Sequence, residues 1–309
     1  MTARTLAVQG VSRPPARDFG LLVVALLAVS TSGPLIAATA VPALAIAFWR
    51  NAMAGAVLAP VVLVRRRAEL RGLDRRERRL ALLAGVLLAL HFGTWIPAIS
   101  YTSVASATAL VATQPVWSAL IGKWRGEVVR RQVWLGIAVS LTGALLLTGA
   151  DLQVSGDALL GDGLALVGGV FAAAYMTAGS EVRRSVSTTT YTSLCYTTTA
   201  LVLLVVCLVG RQALAGYDAV DWVKLVALTA GAQLLGHSLF NVVLRTTGPT
   251  VVSLSILFEI PGAAVIAALF VKGQHVPLLA VPSAALLVAG LAVVIRSTGH
   301  ETAPAVPVE

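Results

Sequence analysis

The sequence predicts an all-α integral membrane protein whose ten transmembrane helices form two five-helix inverted repeats. Composition, the alternation of basic loops and a block recurring in both halves carry that expectation. Of 309 residues, 57% are hydrophobic and 12% charged, and mean hydropathy is +0.86. A soluble domain carries about 25% charged residues. The apolar residues fall into runs of about 20, the length that crosses ~30 Å of hydrocarbon.

Ten spans are expected, at 19–40, 42–64, 80–101, 104–123, 132–149, 159–180, 188–209, 222–244, 250–271 and 277–295. The first follows Arg4, Arg13 and Arg17, as a secretion signal would. Its run Phe19–Ala40 is longer than a signal's apolar core, so it reads as a span. The chain then divides into an N-terminal tail (1–18), a first repeat (19–149), an outer linker (150–158), a second repeat (159–296) and a C-terminal tail (297–309). Both tails are polar or proline-rich, a composition that favours disorder. Cys195 and Cys207 share one apolar run, about 18 Å apart along a helix and too far for a disulfide.

Orientation follows from the basic residues. With a cytoplasmic N-terminus, inner loops and tails hold 19 of 23 Lys+Arg, while the outer loops keep Arg211, Lys224 and Lys272. Five aspartates (Asp151, Asp157, Asp162, Asp218, Asp221) fall outside. Both termini are therefore expected in the cytoplasm of a multi-pass cell-membrane protein. The net charge of +9 comes largely from "RRRAELRGLDRRERR" (65–79). That cluster reads as a topology determinant beside anionic membrane lipids rather than a nucleic-acid site.

The recurring block is "AISYTSVASATALVATQPVWSALIGKWRGE" (98–127) against "VVLRTTGPTVVSLSILFEIPGAAVIAALFVKGQ" (242–274). Each has a threonine-containing corner, an apolar helix with a polar residue and a proline near its middle, and a glycine followed by Glu127 or Gln274. An odd number of spans per half inverts the second copy relative to the first.

With its ten spans, these blocks and "AFWRNAMAG" (47–55), the sequence resembles the drug/metabolite transporter superfamily, EamA type, over about residues 18–296. The resemblance implies alternating-access transport of small metabolites, usually efflux, commonly in exchange for protons or another solute. The family's second-half pattern sets glutamate directly before proline and another glutamate at the helix end. Here Ile260 separates Glu259 from Pro261, and Gln274 holds the end position.

Ionisable groups inside spans cost about 2.5–3.5 kcal/mol each and so point to interior surfaces. They are Arg50, His91, His237 and Glu259. Arg50 and Glu259 lie at similar depth and suggest an ion pair. Arg50 would either hold the bundle together or anchor a substrate carboxylate. Glu259 would either stay structural or carry a coupled proton. His91 reads either as hydrogen-bonded core or as a cavity residue. Trp95 and Tyr175 are candidate cavity walls, and the amides Gln114, Gln233 and Asn241 must find partners in another helix or a wet cavity. Pro34, Pro97, Pro115 and Pro261 free backbone groups that lipid cannot satisfy. They mark the interior and are candidate hinges.

No metal-ligand spacing, phosphate loop or ATP-hydrolysing domain is present, so no cofactor is expected and transport would be secondary. An intramembrane serine protease reading rests on "GHSL" (236–239), with Ser238 as nucleophile and His91 as base. A non-transporting scaffold would need soluble interaction domains. The favoured reading is an exporter of an amino acid, a related metabolite or a drug-like compound, without enzymatic activity. Its small-residue faces permit a homodimer.

Overall fold

The computed structural model describes residues 15–102, 104–148, 156–270 and 278–298. Gln274, most of the outer linker and the greater part of both tails lie outside the described residues. In chain order the first half comprises α1 (Ala16–Val29), α2 (Ser32–Ala37), α3 (Ala43–Arg65), α4 (Arg67–Gly72), α5 (Arg75–Ala98), α6 (Val104–Val111), α7 (Gln114–Trp124) and α8 (Arg131–Thr148). The second comprises α9 (Gly156–Val182), α10 (Thr188–Val209), α11 (Ala219–Leu228), a π-helical segment (Thr229–His237), α12 (Ser238–Val243), α13 (Pro249–Ile256), α14 (Glu259–Phe270) and α15 (Ala280–Thr298).

Eight helical runs among the described residues are long and apolar enough to cross a membrane, and Arg131–Leu146 is a shorter apolar helix. The chain is thus a multi-pass membrane protein, with helices and no strand among the described residues. Of the ten expected spans, that at 104–123 is delivered as two short helices, α6 and α7, below spanning length individually.

One offset, 145 residues, relates the halves. It carries α3 onto α10 (43 to 188), α6 onto α13 (104 to 249) and the start of α7 onto the start of α14 (114 to 259). Packing obeys the same relation. Helix α5 lies on α9, and its counterpart run, α11 through α12, lies on α1. Helices α3 and α10 pack together, as do α8 and α15, while α7 meets α13. Such reciprocal pairing is what a two-fold relation between homologous halves produces. The α8–α15 contact is close because Gly136 and Gly290 let the backbones approach; a Cβ on Gly136 would stand 2.6 Å from the Gly290 carbonyl oxygen.

Several expected continuous helices are interrupted. The runs at 104–123 and 250–271 each break in the middle, at 112–113 and 257–258. The first span breaks at Ser30–Thr31, and the eighth passes through the π segment. Proline explains the positions. Pro34, Pro115 and Pro261 each occupy the first turn of the helix after a break, where an N–H has no intrahelical partner to lose. Pro97 instead lies one residue from the end of α5, not in mid-span. Side chains recover part of the freed backbone: Ser30 Oγ donates to Leu26 O (2.7 Å), Thr31 Oγ1 to Ala28 O (2.7 Å) and Thr113 Oγ1 to Leu110 O (2.7 Å).

The arginine-rich segment 65–79 contains α4 and the capped start of α5. Asp74 accepts from Glu77 N (2.7 Å) while Glu77 accepts from Asp74 N (3.0 Å), a reciprocal cap. Glu69 accepts from the Ser187 amide and from the Ser187 and Thr190 hydroxyls, tying α4 to the start of α10. At the same end, the Asp18 carboxylate accepts from Thr246 and Thr247 at the corner before α13.

Candidate functional site

Where the broken helices converge they leave a cavity of about 60 Å³. Helix α1 and the α2 start supply Val29 and Ser32, α5 supplies His91, Phe92 and Trp95, and α9 supplies Tyr175 and Met176. The breaks themselves bring Gln114 and Glu259, each the first residue of its half-helix, while α13 adds Ser253 and the second-half bundle adds His237 and Phe240. A helix that continued unbroken through 112–113 or 257–258 would carry its backbone straight past this point. The cavity exists because both do not.

Its walls are mostly apolar, with few polar groups. Nδ1 of His91 lies 3.0 Å from Gly168 O, an atom that only accepts, so Nδ1 carries the hydrogen and Nε2 is left as an acceptor. The His91 ring stacks on Trp95, centroids 5.9 Å apart with 2° between planes. His237 meets Phe92 edge-on at 5.4 Å, and its Nδ1 has no partner. Trp95 Nε1 is likewise a buried donor without an acceptor. Gly262 and the Glu259 carbonyl lie against Ser30, but the Glu259 carboxylate has neither hydrogen bond nor ion pair among the described residues.

Three expected cavity residues stand behind the wall instead. Arg50 is fully buried; its Nε donates to Gln233 Oε1 (2.8 Å) and its Nη1 to Ser32 Oγ (3.4 Å). Its guanidinium lies 4.2 Å over the Phe92 ring. Gln233 completes a chain by donating to Asn51 Oδ1 (3.1 Å), and Asn51 donates to Ala47 O (2.9 Å). Asn241 donates to Tyr175 Oη and to His237 O, both at 2.8 Å. The expected Arg50–Glu259 ion pair therefore does not form: no ion pair within 4 Å joins them among the described residues. A neutral amide on the π segment takes Nε and Ser32 takes Nη1, the Phe92 face lies against the guanidinium, and Nη2 is left without a hydrogen-bond partner among the described residues.

Beyond the cavity, toward the arginine-rich end, Gln114 Nε2 donates to Ser253 Oγ (3.1 Å) and approaches Met176 Sδ (3.0 Å). Ser253 Oγ is also 3.0 Å from Ser118 Oγ. Ser253 lines the cavity; Ser118 lines a second hollow of about 290 Å³, bounded by Arg125, Glu127, Glu181, Arg184 and Arg245. One hydrogen-bonded layer thus separates the two. Glu181 holds the rim, paired with Arg76 (3.2 Å), Arg125 (2.5 Å) and Arg184 (3.4 Å). Nearby, Arg183 Nε donates to Asn241 O (2.9 Å), and burial together with the Arg245 charge brings its guanidinium down to about 10. It remains a cation at neutral pH.

At the opposite end, a hollow of about 250 Å³ is lined by Ile36, Val41, Ile46, Ile96 and Ile99. Ser32 and Ile36 are one turn apart on α2, and Trp95 adjoins Ile96 on α5, so these two elements form the wall on that side. Lys224 on α11 donates to Ala38 O (2.6 Å), just past the end of α2.

The sequence model of the EamA-like transporter family matches residues 18–149 and again 159–296. The chain belongs to the EamA-like transporter family. The two matches fall on the two halves that the 145-residue offset relates, so the EamA repeat is visible in sequence and in helix register alike. One solved crystal structure, described without an activity, shares the fold at TM-score 0.75 and 19% identity, over 92% of this EamA chain and 98% of that chain. No curated protein sequence matches it.

Five residues expected at a site meet at the EamA cavity: His91, Trp95, Gln114, Tyr175 and Glu259. Arg50, Gln233 and Asn241 do not reach it. Ser32, Phe92, Met176, Phe240 and Ser253 were not singled out in sequence, because serine, methionine and phenylalanine in an apolar run carry no signal of which face they occupy. His237 carried one, as an ionisable group inside a span. Ser238, the nucleophile of the protease reading, bonds to Tyr196 Oη (3.2 Å) and Gln233 O (3.4 Å), whereas His91 is committed to Gly168.

Proposed function

We propose that this protein is a secondary transporter that moves a small metabolite or drug-like solute by alternating access, most simply as an exporter in the cell membrane. Ten crossings, with the α6–α7 and α13–α14 pairs each counted as one and the two repeats inverted, would place both termini and the arginine-rich end in the cytoplasm. That orientation agrees with the distribution of basic residues. Coupling to protons or to a counter-transported solute supplies the driving force, since the described fold is membrane helices throughout.

The observation that carries this reading is the single hydrogen-bonded layer between cavity and inner hollow. Gln114 and Ser118 come from the broken helix of one repeat, Ser253 from the broken helix of the other. Parting the repeats at that layer would join the cavity to the cytoplasmic side. At about 60 Å³ the cavity is far below the roughly 300–1,000 Å³ of ligand sites, so it must enlarge to admit a solute. The short half-helices, with prolines in their first turns, provide the bending points.

A reversible lock tests it. In a chain with Ser118→Cys and Ser253→Cys and the native cysteines replaced, oxidation should cross-link α7 to α13. Transport by reconstituted protein is expected to stop on oxidation and recover on reduction, with each single-cysteine control unaffected. Full transport by the cross-linked protein would remove the layer from the pathway.

A further inference from the structure

The cavity lining contains one formally charged side chain, Glu259, and that carboxylate is unpaired among the described residues. Arg50 is not part of that lining: it is at 0% exposure, its Nε and Nη1 are taken by Gln233 and Ser32, Phe92 lies over its guanidinium, and its Nη2 is buried without a partner among the described residues. A solute in the cavity can therefore touch the carboxylate but not the guanidinium. The other polar side chains of the lining are neutral, among them His91 with its acceptor Nε2, Trp95 and His237 with ring nitrogens unpartnered among the described residues, Gln114, Ser32 and Ser253.

Consider what each solute class would meet. An anion, or the carboxylate of a zwitterion, would enter a space whose only formal charge among the described lining residues is like-signed. Leaving a buried charge without an opposite partner is costly, and like-charge contact adds to that cost. A neutral solute would leave Glu259 as unpaired as before. A cation alone gains an ion pair that the empty cavity lacks. The walls suit it too, because the faces of Trp95, Tyr175 and Phe240 attract positive charge and accept an apolar body.

We propose that the transported solute is a small organic monocation with an aromatic or apolar body, its charge received by Glu259 and its body held between Trp95, Tyr175 and Phe240. This assignment rests on the transport reading above and adds the substrate class to it. It also separates two roles for charged groups expected at similar depth: Glu259 contacts the solute, and Arg50 positions Phe92 and the π segment.

The test uses the full-length protein in detergent and in liposomes with three probes of similar size: 1-methyl-4-phenylpyridinium, the zwitterion phenylalanine and the anion 3-phenylpropionate. Binding is read by tryptophan fluorescence and movement by counterflow, which needs no ion gradient. The cation should bind about tenfold or more tightly than either other probe and should alone show counterflow. Glu259→Gln should lose about tenfold or more of the cation's affinity, while Glu259→Asp, which keeps the charge, should retain part of it. Both variants are compared as monodisperse protein, so a misfolded sample is not read as a loss. Counterflow of phenylalanine or 3-phenylpropionate without the cation would overturn the substrate class and leave transport standing. Cation binding unchanged in Glu259→Gln would overturn the role of that carboxylate. Movement of no probe at all would count against both readings.

Discussion

Replacing Arg50 with alanine is expected to be the most damaging single change in the structure, lowering stability by about 3–5 kcal/mol. The side chain is wholly enclosed, and its removal empties a large volume between α3, the π segment and α5. It also strips the acceptor Gln233 Oε1 of its donor, in a place where lipid and packed side chains offer no replacement. Gln233 then loses the contact that orients it toward Asn51, so the whole chain from Ala47 to the π segment loosens. Lysine should rescue poorly: an ammonium lacks the flat guanidinium that lies over Phe92 while donating sideways from Nε. Thermal unfolding of the purified variants checks this; an Arg50→Ala protein as stable as the parent would contradict the structural role.

Glu259→Gln should show the reverse pattern. The carboxylate holds no hydrogen bond or ion pair among the described residues, so an amide of nearly the same shape leaves none of them without its partner. Stability is expected to be unchanged or slightly raised. Transport is expected to fall by about 100-fold, the loss of one desolvated charge contact to the solute. Measured side by side, thermal stability and transport rate separate the two ionisable residues. A Glu259→Gln protein that melts early and also fails to transport would instead make the carboxylate part of the scaffold.

The sequence carried the helical class and the repeat, because each depends on composition along the chain. It also pointed to three of the breaks, at Pro34, Pro115 and Pro261, since prolines stand out in apolar runs. What it could not supply was lateral position. Arg50 and Glu259 are expected at similar depth, which made an ion pair the natural expectation, but depth does not say which face of a helix points at which neighbour. The π segment decides that point: its wider turn places Gln233 against Arg50, and nothing in "TAGAQLLGH" (229–237) announces a π-helix. Ile260 illustrates a second limit. Between Glu259 and Pro261 it looks like a displacement of the glutamate from its family position. In the structure Glu259 and Gln114 hold equivalent first positions of their half-helices, and it is the proline that has moved by one residue. Either place is tolerated in a first turn, so the shift costs the helix little.

The central claim is that one cavity, closed in this structure by Gln114, Ser118 and Ser253 on one side and by α2 and the end of α5 on the other, opens in turn to each. Its most direct test is the reactivity of a cysteine placed at Ser32, which lines the cavity, in a chain whose native cysteines have been replaced, with and without the oxidised Ser118→Cys/Ser253→Cys pair. Charged, membrane-impermeant thiol reagents would be applied from each face of oriented vesicles. Labelling from both faces, abolished on the cytoplasmic face by locking the Ser118–Ser253 layer, is the predicted result; labelling from one face only, or from the cytoplasmic face despite the lock, would contradict the account.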